Sequence, residues 1–154
     1  SARNGSPLAL AMMDLDEFKA INDLHGHAAG DAILRCYASD VLTVLRHHDQ
    51  VARYGGEEFA VLLPNTTQDG AVAAIHKVKN RALQAECDFH GRIFRLPTFS
   101  TGIALYVPGE SHTDLIDRAD RAMYRAKRLG RNRVEVEAGL PAASRPGRNH
   151  RNGA

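Results

Sequence analysis

Nowhere does this chain of 154 residues carry the run of ~20 apolar residues that a membrane helix needs. Its opening residues, SARNGSP, also lack the layout of a secretory signal. These absences lead to the expectation of a soluble, cytoplasmic domain without membrane contact, or one tethered to a membrane receptor only through a preceding part. Cysteine is scarce as well. Cys36 and Cys87 show no CxxC spacing and no histidine at ligand distance, so the expectation is two buried free thiols in a reducing compartment. The histidine pairs His25/His27 and His47/His48 lack a third convergent ligand and read as solvated side chains, not a metal site. No strong charge of one sign is present either. The segment from Ala138 on holds Arg145, Arg148 and Arg151 and no acid, and without it 17 basic residues face 18 acidic ones. A nearly neutral body gives no general case for nucleic-acid binding, so an anion site must come from local clustering.

What is present suits one domain with a real hydrophobic core, at 44% hydrophobic residues. We read residues 1–137 as that domain and 138–154, rich in turn-formers and arginine, as a disordered basic tail. Leu8 to Met13 is an unbroken apolar run ended by Asp14 and Asp16. That is the pattern of a strand buried on both faces, delivering carboxylates at its C-terminal end. A short helix about Phe18 to Leu24 follows, then an amphipathic helix from about Asp31 to Arg46. Gln50 to Tyr54 and Glu58 to Leu63 flank Gly55-Gly56 as a hairpin. A helix spans about Gln68 to Ala85, and Arg92–Leu96 and Phe99–Val107 read as strands paired antiparallel. A last helix runs from about Thr113 to Leu129 with Gly130 as its stop. Arg133 to Glu137 closes as an edge strand. Helices between strand pairs favour an α+β fold, a central and mostly antiparallel sheet flanked by helices, over a doubly wound parallel one. Phe18, Phe59, Phe99 and Tyr124 are assigned to the core.

The most informative stretch is RYGGEEF, Arg53 to Phe59. Its glycines let a ligand approach the backbone, and Glu57 and Glu58 follow at the lip. If the first strand lies beside this hairpin, Asp14 meets Glu57 across neighbouring strands. Such oxygen ligands suit Mg²⁺ while leaving positions open for phosphate. GGEE alone would also fit an exposed hairpin with solvated acids. Near the other end, seven basic residues fall between Arg118 and Arg133, which favours an anion site there.

Five spaced segments, MDLDEFKAIND, HGHAAGD, RxxD as Arg46 to Asp49, RYGGEEF and MYRAKRLGRN, occur in order over roughly Leu8 to Val136. In this the chain resembles the GGDEF family of diguanylate cyclases. The resemblance implies a fold similar to the polymerase palm and to nucleotide cyclases, and condensation of two GTP into cyclic di-GMP. It implies Asp14, the Leu15 carbonyl and Glu57 as metal ligands. Glu58 is implied in metal binding or in deprotonating the attacking hydroxyl. The metal would be Mg²⁺, two per GTP, with Mn²⁺ as an alternative, since two ions about 3.5–4 Å apart stabilise attacking and leaving oxygens together.

For the substrate, the resemblance implies guanine reading by Asn22 and Asp31 and a place for Phe18 and Lys19 in the substrate site. The triphosphate would lie on the helix start at about Glu17 to Lys19, where unpaired N–H groups and positive potential gather. Lys127 and Arg131 would take the terminal phosphates, although they share a helix face only if the helix runs through Gly130. Arg46 and Asp49 match a product-inhibition site that needs a further basic group, and Lys77 and Arg81 are open candidates. Each domain would hold one GTP, so a homodimer is needed for catalysis. The family's DxLTGLxNR leader has no counterpart here, which leads to the expectation of an upstream regulatory domain and a partly uncovered sheet. Two rival readings are a non-catalytic module binding GTP or cyclic di-GMP, and a palm-like domain of another nucleotidyl transferase.

Overall fold

A computed structural model describes residues 5–137. The expected basic tail from Ala138 lies outside these described residues. Five strands form the main sheet: β1 (Leu8–Leu15), β2 (Gln50–Arg53), β3 (Glu58–Pro64), β6 (Phe99–Leu105) and β7 (Val134–Glu137), in the order β2-β3-β1-β6-β7. β1 is central and antiparallel to β3 and β6, while β7 joins β6 in parallel. The helices are α1 (Phe18–His25), α2 (His27–Ser39), α3 (Gln68–Gln84) and α4 (His112–Arg128). This is the expected α+β architecture.

Residue alternation along β1 assigns its two faces. Ala9, Ala11, Met13 and Leu15 join the larger core with α2 and α3, whereas Leu10 and Met12 pack against Leu115, Ala119 and Met123 of α4. A strand covered on both sides by helices has no solvent face to mark with polar residues, hence the unbroken apolar run. Asp14 and Asp16 continue the α4-facing parity at the strand's C-terminal end. Arg118 fastens α4 to the sheet, its guanidinium donating to Glu110 Oε2 at 2.6 Å and to the Leu105 carbonyl. No helix among the described residues is long and apolar enough to cross a membrane.

Four expectations need correction. The expected pairing of Arg92–Leu96 with Phe99–Val107 does not occur. Residues Arg92–Arg95 form β5, paired with an unforeseen β4 (Glu86–Phe89) in a separate two-stranded sheet. The signal was His90-Gly91, where both residues have positive φ (52° and 84°), the conformation of a two-residue hairpin turn. The long helix expected to begin near Asp31 starts at His27 and gives way after Ser39 to a 3₁₀ turn, Val41–Val44. There Arg81 grips the Asp40 carboxylate at 2.7 and 2.9 Å, and the β-branched Val41, Thr43 and Val44 disfavour α-helix. Apolar spacing alone does not distinguish the two helix types. Tyr124 is 61% exposed, unlike the buried Phe18, Phe59 and Phe99. Finally, Cys36 and Cys87 are not free thiols. Packing of α2 against β4 brings their Cα atoms to 6.0 Å and the two form a disulfide across a sequence separation of 51.

Candidate active site

The strand pairing puts Asp14 of β1 directly opposite Glu58 of β3. Partners in register on one sheet project to the same face. Here it is the face that α4 covers. Glu57, at the lip of the hairpin, is tied to the same strand end, its carbonyl accepting from the Leu15 N–H at 3.2 Å. Leu15 itself has its side chain in the core, so only its backbone is available to the site.

The charge of Asp14 acts on both glutamates, and the titration of Glu57 and Glu58 reflects it. Burial, followed by the charge of Asp14, holds the Glu57 carboxyl above the usual carboxylate range. Glu58 is raised for the same two reasons, with Asp120 and a hydrogen bond to Asp14 adding to the effect. Lys127 opposes the rise in both. Its ammonium lies 2.8 Å from Asp14 Oδ2, and Asp14 is almost fully buried. Asp120, one face of α4 away by two turns from Lys127, is itself raised by burial and then by Asp117. The sequence reading missed Asp120. Its i,i+7 spacing to Lys127 was the available signal.

The donor set fits a hard divalent cation, because hard ions prefer carboxylate and carbonyl oxygen. Among the described residues no three His, Cys, Asp or Glu side chains are already drawn together at metal spacing. The cation that meets the acidic cluster is the Lys127 ammonium. Lys127 therefore stands at these carboxylates and not apart from them with Arg131.

Arg131 is reached differently from the expected helical continuation. α4 ends at Arg128, and the Arg131 N–H donates to the Ala126 carbonyl at 2.9 Å while Gly130 donates to Lys127. This pair of bonds is a Schellman closure, with Gly130 in the positive-φ position it favours. The chain then turns back, and the Arg131 Nε lies 3.8 Å from Glu17 Oε2, at the start of α1. Glu17 has φ 58° and supplies no side-chain cap, so the first turn of α1 lacks a side-chain acceptor. Lys19 extends into solvent, paired with Asp23 at 3.2 Å.

Asn22 of α1 and Asp31 of α2 stand on the two helices that form the α1–α2 corner. The Asn22 Oδ1 atom is buried and without a hydrogen-bond partner among the described residues. A buried, unpaired amide oxygen is costly unless something else completes it. Gly30, immediately before the exposed Asp31, makes the corner tight enough that a Cβ there would lie 1.9 Å from Asn22 Oδ1 and 3.0 Å from the Phe18 ring. Phe18, buried at the start of α1, packs against the same corner. Gly30→Ala is expected to melt within a few degrees of the parent, because alanine's better helix propensity offsets the shift it forces on the Asn22 amide and the Phe18 ring. On the reading that this corner takes guanine, it should also weaken nucleotide binding by about tenfold, the equivalent of one well-placed polar contact. Calorimetric titration together with a melting curve checks both halves.

The Arg46–Asp49 pair is formed. Asp49 accepts the Arg46 backbone N–H at 2.9 Å and its Nη2 at 3.2 Å, and Arg46 also donates to the Pro64 carbonyl at 3.1 Å. They border a cavity of about 260 Å³ shared with Val44, Thr66, Gly70 and Lys77. Arg81 is engaged with Asp40 elsewhere. Lys77 is thus the basic group placed to complete this cavity.

An acidic strand end beside a glycine hairpin, a helix start without a cap and a corner with an unpaired buried amide oxygen suit a nucleotide-handling α+β domain. Residues 1–133 match the family described as diguanylate cyclase, GGDEF domain, and the chain belongs to it. The chain is 44% identical over 135 residues to the diguanylate cyclase DgcP of Pseudomonas aeruginosa, and 38% identical over 145 residues to diguanylate cyclase A of Treponema denticola. The alignments cover 87% and 93% of this chain but only 20% and 39% of those proteins, so the chain spans well under half their length. The GGDEF domain of DgcB from Caulobacter crescentus, solved with c-di-GMP, superimposes with a TM-score of 0.80 at 34% identity, covering 88% of this chain and 80% of that one. The active GGEEF domain of a Vibrio cholerae diguanylate cyclase gives 0.77 at 31% identity, covering 90% and 88%.

Proposed function

We propose that this domain condenses two GTP molecules into cyclic di-GMP and two pyrophosphates. In each half-reaction the 3′-hydroxyl of one GTP attacks the α-phosphorus of the other and the bond to pyrophosphate breaks. The observation that carries this reading is the placement of Asp14 and Glu58 in register on one face, with Glu57 and Lys127 against them. Asp14, the Leu15 carbonyl and Glu57 would hold Mg²⁺, or Mn²⁺ in its place, which when bound supplies charge neutralisation at the attacking and leaving oxygens. Occupation of the cluster requires Lys127 to release Asp14, which frees its ammonium for the polyphosphate. Glu58, whose carboxyl is held above the usual range, is suited to accept the 3′-hydroxyl proton at neutral pH. Asn22 and Asp31 offer an amide and a carboxylate to the guanine edge, with Phe18 packed at the same corner. Arg131 and the start of α1 face the distal phosphates.

Each domain presents one such cleft, so the two substrates meet only when two copies face each other. The cavity beside Arg46, Asp49 and Lys77 is suited to the anionic, guanine-bearing product, and supports feedback inhibition there. The curated relatives are longer than this chain, which leaves room for a further module that controls pairing.

The test is incubation of the domain with GTP and Mg²⁺, following pyrophosphate and dinucleotide over a dilution series. Turnover per molecule should fall as the protein is diluted, and added cyclic di-GMP should suppress it in the parent and not in Arg46→Ala. Turnover independent of concentration would overturn the paired arrangement. Nucleotide binding without product at any concentration would instead identify a binding module.

A further inference from the structure

Asp16, just past the end of β1, is an acid that the reading above leaves without a task. It is 5% exposed, and its carboxylate is fully engaged. Thr98 Oγ1 donates to Oδ2 at 2.7 Å, Ser100 Oγ to Oδ1 at 2.6 Å, and the backbone N–H of Asn132 to Oδ2 at 3.0 Å. A carboxylate buried this deeply is tolerated when such donors replace its water. The third donor comes from 116 residues away, in the turn beyond α4. The same residue is held from the opposite side, since Lys79 of α3 donates its ammonium to the Asn132 carbonyl at 3.0 Å.

The gripped residue sits in an unfavourable backbone conformation. Arg131 and Asn132 have φ of 65° and 49°, the left-handed region that side chains other than glycine rarely adopt and that persists only where the surroundings over-determine it. Ala126 closes the turn on one side of Arg131, and Asp16 with Lys79 closes it on the other. Neither Asp16 nor Lys79 touches the acidic cluster. What they hold is the backbone from which Arg131 reaches the start of α1, 3.8 Å from Glu17.

We propose that Asp16 and Lys79 are positioning residues: they clamp the Asn132 backbone from two sides and so fix Arg131 where it meets the distal phosphates of the nucleotide. The proposal rests on the GTP reading given above. Its chemical content is narrow. The clamp serves recognition of the β- and γ-phosphates and contributes nothing to guanine or to the α-phosphate.

The experiment measures binding of two probes by the full chain with Mg²⁺: a GTP analogue with a methylene bridge between the α- and β-phosphorus, which cannot turn over, and GMP, which lacks the distal phosphates. Lys79→Met keeps the aliphatic stem and removes only the ammonium. It should weaken the analogue about tenfold, the scale of one charged hydrogen bond, and leave GMP unchanged. Arg131→Ala should show the same selective loss, and the double variant Lys79→Met/Arg131→Ala should lose no more than Arg131→Ala alone, because the clamp acts through that side chain. In turnover assays Lys79→Met should raise KM with little change in kcat. Asp16→Ala should repeat the selective loss if it folds, and Lys79→Met decides if it does not. Equal weakening of the two probes, additive losses or parent-like binding by Lys79→Met would overturn the clamp while the GTP site stands. A parent protein that fails to bind the analogue would overturn the site and the clamp together.

Discussion

Glu57→Gln is expected to lower cyclic di-GMP formation by at least about a thousandfold, the scale on which loss of a group stabilising developing charge is felt. The substitution keeps the shape of the side chain and removes the charge that a divalent ion requires. Stability should move in the opposite direction. Burial and Asp14 raise the Glu57 carboxyl above the usual range, so between the unfolded and folded values the native state binds more protons than the unfolded chain. The contribution of this group to stability is therefore complete at low pH and is lost as pH rises through the folded value. At neutral pH, without metal, the ionised carboxylate opposes folding, and Glu57→Gln should melt a few degrees higher than the parent. Mg²⁺ should raise the melting temperature of the parent and leave the variant nearly unmoved. Proton and ion compete for the carboxylate, so at limiting Mg²⁺ the metal-dependent rise in melting temperature should decline on acidification at a pH above the ordinary glutamate range. Glu58 is raised for the same leading reasons and should add to that decline. A variant that melts lower than the parent in the absence of metal would show that the acidic cluster is not the strained element described above.

Gly102→Ala is expected to destabilise the domain by about 3 kcal/mol or more, beyond the usual cost of an added methyl in a packed core. At this scale the melting temperature should fall by roughly 6–12 °C. A Cβ at Gly102 would lie 2.1 Å from the Ala119 carbonyl and 2.1 Å from the Met123 nitrogen. Those are backbone atoms of α4, so no rotamer change relieves the collision and the helix must lift from β6. Because α4 carries Lys127 and Asp120 into the acidic cluster, the displacement should also disturb the site. Urea unfolding followed by circular dichroism checks the magnitude. Parent-like stability would mean that α4 seats less closely on the sheet than these distances require.

These two glycine and glutamate effects differ in what can be read from the order of residues. The apolar run ending at Asp14, the glycine hairpin with Glu57 and Glu58, and the periodic faces of α3 and α4 are local patterns. Hydrophobic periodicity and turn chemistry act over a few residues and need no partner to be recognised. For the same reason Asp14 could be singled out before any pairing of strands was known, whereas Asn22, Asp31 and the Arg46–Asp49 pair were singled out by the resemblance to the GGDEF family. The alignment of Asp14 with Glu58 was conditional on the first strand lying beside the hairpin, and strand register is set by packing on the covered face.

By itself, then, the sequence determined most of the strands and helices, β4 and the extent of α2 excepted, because those choices depend on near neighbours. Only the tertiary structure decided what those ends meet. The Cys36–Cys87 disulfide, the pairing of β5 with β4, the end of α2 where Arg81 takes Asp40, the ion pair of Lys127 with Asp14 and the double grip on Asn132 each join residues far apart in the chain. Such contacts form when separate elements pack on a common core, and packing selects among many partners that composition and spacing leave equivalent.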